Sequence, residues 1–218
     1  MSIPTKLVVV VADRTYEAVL NEVFARFQAA GFGPVDAKIV PDPFHDGSGK
    51  LTDLLRPYLR EYDHALVLRD LAGSGFEDMG ARKFEERLET QMRANGWGDK
   101  KHAAIVTEPE IEEWLRLPSP PLLKLLRERA RKNRNTVSSF QRVLDDLLHT
   151  HEGRDERGKA RQPKEVFEGL VRHYGIPPAN ALRGFVARRE PLDGCVSNSF
   201  NRLLQILRRW FPPGLSRR

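Results

Sequence analysis

The sequence predicts an α/β protein, a doubly wound parallel sheet of about four strands followed by an all-helical region. Three observations lead there. Short β-branched runs alternate with stretches of helical periodicity as far as residue 107. From Glu110 onward no strand-like segment remains. The charge also changes sign where the pattern changes: residues 1–115 carry 14 Lys+Arg against 20 Asp+Glu, and residues 116–218 carry 22 against 10. The expected division is an α/β domain over residues 1–116 and a basic helical domain over residues 117–218.

The elements follow in order. Residues 6–12 are a strand-length run, Lys6 followed by leucine, four valines and alanine, the pattern of a strand buried on both faces. Asp13 stands at the capping position of the next helix, where Val19, Leu20, Val23, Phe24 and Phe27 recur at helical spacing until Gly31 ends it. Residues 37–40 make a short second strand, and two prolines and two glycines make 41–49 a loop. Leu51, Leu54, Leu55 and Leu59 give a helix over 50–60 its inner face. The third strand, 64–68, runs out into Arg69 and Asp70. A loop bearing Gly73 and Gly75 then leads to an amphipathic helix over 79–95, and 102–107 is the fourth strand. Crossovers in such a chain are right-handed. Helical periodicity fills 122–132, 137–149, 164–174 and 199–211, with Pro120, Pro121 and Pro163 suited to first turns and Gly175 to a helix end. Residues 149–162 read as a polar loop.

Composition narrows the class. With 40% hydrophobic and 30% charged residues the chain is globular, not disordered. Its longest apolar run, residues 7–12, falls far short of the ~20 residues of a membrane span. The first residues lack the pattern of a signal peptide. A lone cysteine, Cys195, excludes an internal disulfide framework and a multi-cysteine zinc site. A cytoplasmic protein without membrane association is expected. The basic second half points to a polyanionic partner, nucleic acid first among them.

Function in an open parallel sheet gathers beyond the carboxyl ends of the strands. Asp13 follows the first strand, Asp70 the third, and Glu110 and Glu112 the fourth. Asp13, Asp70 and Glu110 are the candidate ligands for Mg²⁺ or Mn²⁺, which favour hard oxygen donors. Asp70, Glu110 and Glu112 are the candidate catalytic residues for metal-assisted phosphodiester chemistry. A plainer role exists for each neighbour of Asp70: Asp13 serves as an N-cap, and the glutamates complement the positive end of a helix.

The order of elements resembles the Toprim fold of topoisomerases, primases and overcoming-lysogenization-defect nucleases. More closely, it is similar to small bacterial Toprim-like proteins found with phage-defence genes, in the form of a small component of methylation-associated defence systems. The patches that carry the likeness are Ala12 to Glu17, Asp70 to Gly73, and above all Pro109-Glu110-Ile111-Glu112-Glu113-Trp114-Leu115. Shorter patches follow at Gln162 to Glu165, at Cys195 to Phe200 and at Trp210 to Pro212. The resemblance implies a defence component that engages nucleic acid and works with other defence-system proteins. It also implies a metal-dependent phosphodiesterase site. Two positions depart from it: Ala12 stands where the family's glutamate belongs, and Ala72 where the second aspartate of its Asp-x-Asp belongs. A degenerate site that binds without cutting follows from those losses. The rival reading is a non-catalytic subunit whose basic helices dock an acidic protein.

In the basic half, Phe200, Leu203, Leu204 and Leu207 mark one face of the final helix as core. Asn198, Arg202, Gln205 and Arg209 form a second stripe suited to a phosphate backbone. Arg127, Arg129, Arg131, Lys132 and Arg134 make another basic cluster. The candidate nucleic-acid contacts are Arg127, Arg131, Lys132, Arg134, Arg202 and Arg209. With no zinc-finger or RNA-recognition motif in view, contact is expected to be largely independent of sequence. Trp114 and Trp210 are assigned to the core. His149 and His151 have metal-compatible spacing but lack further obvious ligands, and Cys195, without a histidine partner pattern, is read as a buried or incidental thiol.

Overall fold

A computed structural model describes residues 5–43, 50–114, 120–132, 140–154, 161–188 and 197–213. The chain divides into two compact units, Met1–Ile111 with Cys195–Arg218, and Glu112–Gly194.

The first unit holds a four-stranded parallel sheet in the order β2-β1-β3-β4: β1 Lys6–Val11, β2 Asp36–Pro41, β3 His64–Asp70 and β4 His102–Thr107. Residues Leu7 to Val11 of β1 have no solvent exposure, as the valine run requires of a strand covered on both faces. Its direction of winding reverses at β1. Helix α1 (Arg14–Ala29) leads outward to β2, whereas both later crossovers lead the other way, past β1 to β3 and on to β4. Right-handed connections then place α1 on one face and the later crossover helices on the other. The packing agrees. Val8, Val10, Ala65, Val67, Ala104 and Val106 form one core with Leu51 and Leu55 of a 3-10 helix (Leu51–Tyr58) and with Phe84, Leu88 and Met92 of α2 (Ala81–Ala94). The segment expected to be an α-helix over 50–60 is this 3-10 helix, and Pro57 inside it lacks an N–H for an α-helical bond.

One helix from the basic half joins this unit. Helix α7 (Asn198–Trp210) starts at Ser197, whose hydroxyl accepts from the Phe200 N–H at 3.2 Å, and packs against β4. At its far end the Trp210 ring stacks on His64 at 4.5 Å, and the indole N–H donates to the Lys100 carbonyl at 2.9 Å. The division at residue 116 expected from the sequence is therefore corrected for α7. Its apolar face of Phe200, Leu203, Leu204, Leu207 and Trp210 is buried in the first unit. Amphipathicity told which face is buried, not which core receives it.

Arg202 of α7 bridges two carboxylates of α2, with Nη1 3.2 Å from Glu85 Oε2 and Nη2 2.7 Å from Glu89 Oε1. Burial pushes the Glu85 carboxyl up to about 7, against the opposing pull of the Val106 N–H and Arg82. An acid raised in the folded state keeps a proton that the unfolded chain has released. Its contribution to stability therefore declines as pH climbs from about 4.5 to about 7. Glu85→Gln is expected to gain on wild type by about 2 kcal/mol between pH ~5 and pH ~8, read by urea unfolding at both pH values. An unchanged difference at the two pH values would refute it.

The second unit is helical: α3 Pro120–Lys132, α4 Phe140–Thr150, α5 Pro163–His173 and α6 Pro178–Arg188. Helix α3 packs on α6, and α5 on both α4 and α6. Its core includes Leu122, Leu126, Leu144, Phe167, Leu170, Leu182 and Phe185. Helix α6 is an addition to the sequence reading. Trp114 and Trp210 are both buried, as assigned. No helix among the described residues is long and apolar enough to cross a membrane.

Candidate functional site

The reversal of winding leaves the loops after β1 and β3 diverging from neighbouring strands, the position where open α/β sheets bind ligands. Asp13 and Asp70 stand at its two sides. Asp13 caps α1: its Oδ1 accepts from the N–H groups of Thr15 at 2.7 Å and Tyr16 at 3.1 Å. That cap sets the first turn of α1 so that Tyr16 is fully buried and its hydroxyl donates to Asp70 Oδ1.

Asp70 is a junction. The same Oδ1 accepts from the Thr107 hydroxyl at 2.7 Å and from the Ile111 N–H at 2.9 Å, and the Tyr16 and Thr107 hydroxyl oxygens lie 2.6 Å apart. One carboxylate oxygen thus joins the start of α1, the ends of β3 and β4, and the turn after β4. The backbone adds to the junction, since the N–H groups of Leu71 and Ala72 donate to the Pro109 carbonyl at 3.1 and 3.0 Å. Burial raises the Asp70 pKa above its ordinary value despite the Tyr16 and Thr107 bonds, and the charges of Glu110 and Asp13 push the same way.

The expected ligands therefore meet only in part. The charges of Asp13 and Glu110 both reach Asp70, but Asp13 is engaged as a cap and Asp70 as a junction. Glu112 is 5% exposed and falls within the second unit's residues. Ala12 and Ala72 supply no oxygen ligands from their side chains. Among the described residues no three His, Cys, Asp or Glu side chains come together in a group able to hold a metal ion. This donor set does not fit a two-metal centre.

Sequence reasoning missed a second charged feature at the same edge. Arg69, 5% exposed, places Nη1 3.0 Å from Oδ2 of Asp42, 3% exposed, tying the end of β3 to the segment after β2. Two opposite charges separated by 27 residues carry no local signal of pairing.

The basic candidates belong to both units. Arg127 and Arg129 of α3 are exposed, and Arg129 reaches the Gly175 carbonyl at 3.5 Å. Arg131 and Lys132 close α3, and Arg134 and Cys195 lie outside the described residues. Arg209 is exposed on α7, with Asn198 and Gln205 beside it in the stripe, but Arg202 is turned to Glu85 and Glu89. The partner carboxylates sit over a hundred residues earlier, out of reach of helical periodicity. His151 bonds Gln162 at 3.1 Å. Counted by unit, the charge split narrows: residues 1–111 with 195–218 carry 19 Lys+Arg against 18 Asp+Glu, and residues 112–194 carry 17 against 12.

These features define a doubly wound α/β protein with an acidic junction at its switch point and a separate helical unit. No family model, curated protein or solved structure matches the chain.

Proposed function

We propose that the protein is a Toprim-like component of a bacterial antiphage defence system that engages nucleic acid through its basic helical unit. In this reading the Asp70 site is a degenerate phosphodiesterase centre retained as a structural junction. Asp70 carries the proposal: where the resemblance implies a metal ligand, its Oδ1 is occupied by three donors of the chain itself. The exposed cations Lys124, Arg127 and Arg129 of α3, in a unit with a net charge of +5, support the nucleic-acid half.

The test is titration of labelled duplex DNA, single-stranded DNA and RNA against salt. Three phosphate contacts would weaken duplex binding about 40-fold between ~50 and ~200 mM salt, from the counterion-release slope. Reversing Lys124, Arg127 and Arg129 to glutamate is expected to flatten that slope. Absence of binding at low salt, with retention of an acidic product of a neighbouring gene, selects the docking-subunit reading instead. Mg²⁺- or Mn²⁺-dependent cleavage that disappears in Asp70→Asn would reinstate a working metal site.

A further inference from the structure

An outer strand presents alternate backbone N–H and C=O groups that no neighbouring strand takes. Strand β4 is such a strand, and two bonds to β3 fix which way it faces. The carbonyls of Lys101 and Thr107 accept from the N–H groups of Ala65 and Leu71, both at 2.9 Å. Odd-numbered residues of β4 therefore turn their peptide groups to β3, and even-numbered residues turn theirs outward. Two outward donors are met by carboxylates of α2. The Ala104 N–H donates to Glu89 Oε1 at 3.2 Å, and the Val106 N–H to Glu85 Oε1 at 3.1 Å.

The match is geometric. Two residues along a strand advance about 6.6 Å, and four along an α-helix about 6.0 Å. Glutamates four apart on a helix running antiparallel to the strand therefore reach successive outward donors. Glu85 is 5% exposed, and a carboxylate there is a poor choice if filling space were its only task. What it supplies, and an apolar side chain would not, is an acceptor for a backbone N–H. The single guanidinium of Arg202 then spans both carboxylates from α7.

We infer that Glu85, Glu89 and Arg202 form a clasp closing the β4 edge, and that the partner it excludes is a second copy of this chain pairing through the same strand. The edge is self-complementary: antiparallel pairing about a two-fold axis sets each outward donor opposite an outward acceptor. The strand has no proline, and His102 is its sole ionisable residue, so nothing in β4 itself repels a copy. Protection comes from α2 and α7.

The experiment uses full-length Arg202→Glu and the double variant Glu85→Ala/Glu89→Ala, followed by sedimentation velocity over a concentration series. Hydrogen exchange is read at Ala104 and Val106. Both variants are expected to self-associate at least about tenfold more tightly than wild type. At low concentration the two amides should exchange faster than in wild type, and they should regain protection as the dimer forms. Adding Ala104→Pro, which removes one outward donor and no bond to β3, should bring association back toward wild type. Should Arg202→Glu fail to fold, the milder Arg202→Met carries the same two measurements. Wild-type sedimentation together with wild-type exchange at Ala104 and Val106 would overturn the clasp. Association that ignores Ala104→Pro would overturn the assignment of the partner.

Discussion

Asp70→Ala is expected to destabilise the α/β unit by about 4 kcal/mol, whereas Asp70→Asn is expected to cost under about 1 kcal/mol. Alanine removes the common acceptor of three donors in a largely buried place: the Ile111 N–H loses its side-chain acceptor, and the Tyr16 and Thr107 hydroxyls keep each other but lose the carboxylate that both were bonded to. A buried donor left unsatisfied costs about 1–3 kcal/mol, and each lost hydrogen bond to a charged group about 1.5–3 kcal/mol. Asparagine keeps an oxygen at the junction and removes a carboxylate whose charge burial disfavours. Because burial raises the Asp70 pKa, the folded chain holds its proton to higher pH than the unfolded chain does. Wild-type stability at this residue therefore falls as pH rises above the ordinary carboxylate range, and Asp70→Asn should gain on wild type in that direction. Chemical unfolding of the three proteins across pH decides the matter. A metal-binding role alone predicts a different pattern, with both variants about as stable as wild type. Equal stability of alanine and asparagine variants would remove the junction.

Trp210→Ala is expected to cost about 4 kcal/mol and to loosen α7 from the sheet. The indole is 7% exposed, stacks on His64 with an interplanar angle of 11°, and bonds the Lys100 carbonyl. Phe211 also meets the His64 ring edge-on, at 6.1 Å, and its carbonyl accepts from the Gly33 N–H at 3.3 Å. Burial lowers the His64 pKa, and among the described residues Nδ1 of the ring has no hydrogen-bond partner. A histidine depressed in the folded state weakens the fold as pH falls through its unfolded value, since the unfolded chain takes up the proton first. Removing the indole admits water, so the His64 pKa should rise toward the ordinary histidine value, visible as a shifted NMR titration of its ring protons. A His64 titration identical to wild type would show that Trp210 does not shield it.

Much of the sheet was legible because its signals are local. The valine run of β1, the apolar stretch of β3 ending at Asp70, and the capping aspartate before α1 each appear within a dozen residues. Ala181, Leu182, Phe185 and Val186 of α6 also carry helical spacing, visible once Pro178 is taken as a first turn. The candidate site was legible as a location but not as a set of bonds. Asp70 was found from its place at a strand end, yet nothing in sequence joins it to Tyr16, 54 residues earlier, or to Thr107, 37 later. Arg202 shows the same limit. Its spacing on α7 fitted a solvent stripe, and only the tertiary fold brings Glu85 and Glu89 to it.

The α/β unit is interrupted in sequence, and the interruption has a consequence for synthesis. Strands β1–β4 are complete by Thr107, but α7 begins at Asn198, about ninety residues later. At roughly 5–20 residues per second the ribosome needs about 5–18 s to make the intervening chain. Over that interval Glu85 and Glu89 can already reach β4, but Arg202 has not been made. Neighbouring chains on one polysome would then carry half-finished sheet edges side by side. The time of greatest hazard for this protein is therefore during translation, and a strong pause between residues 107 and 198 would lengthen it.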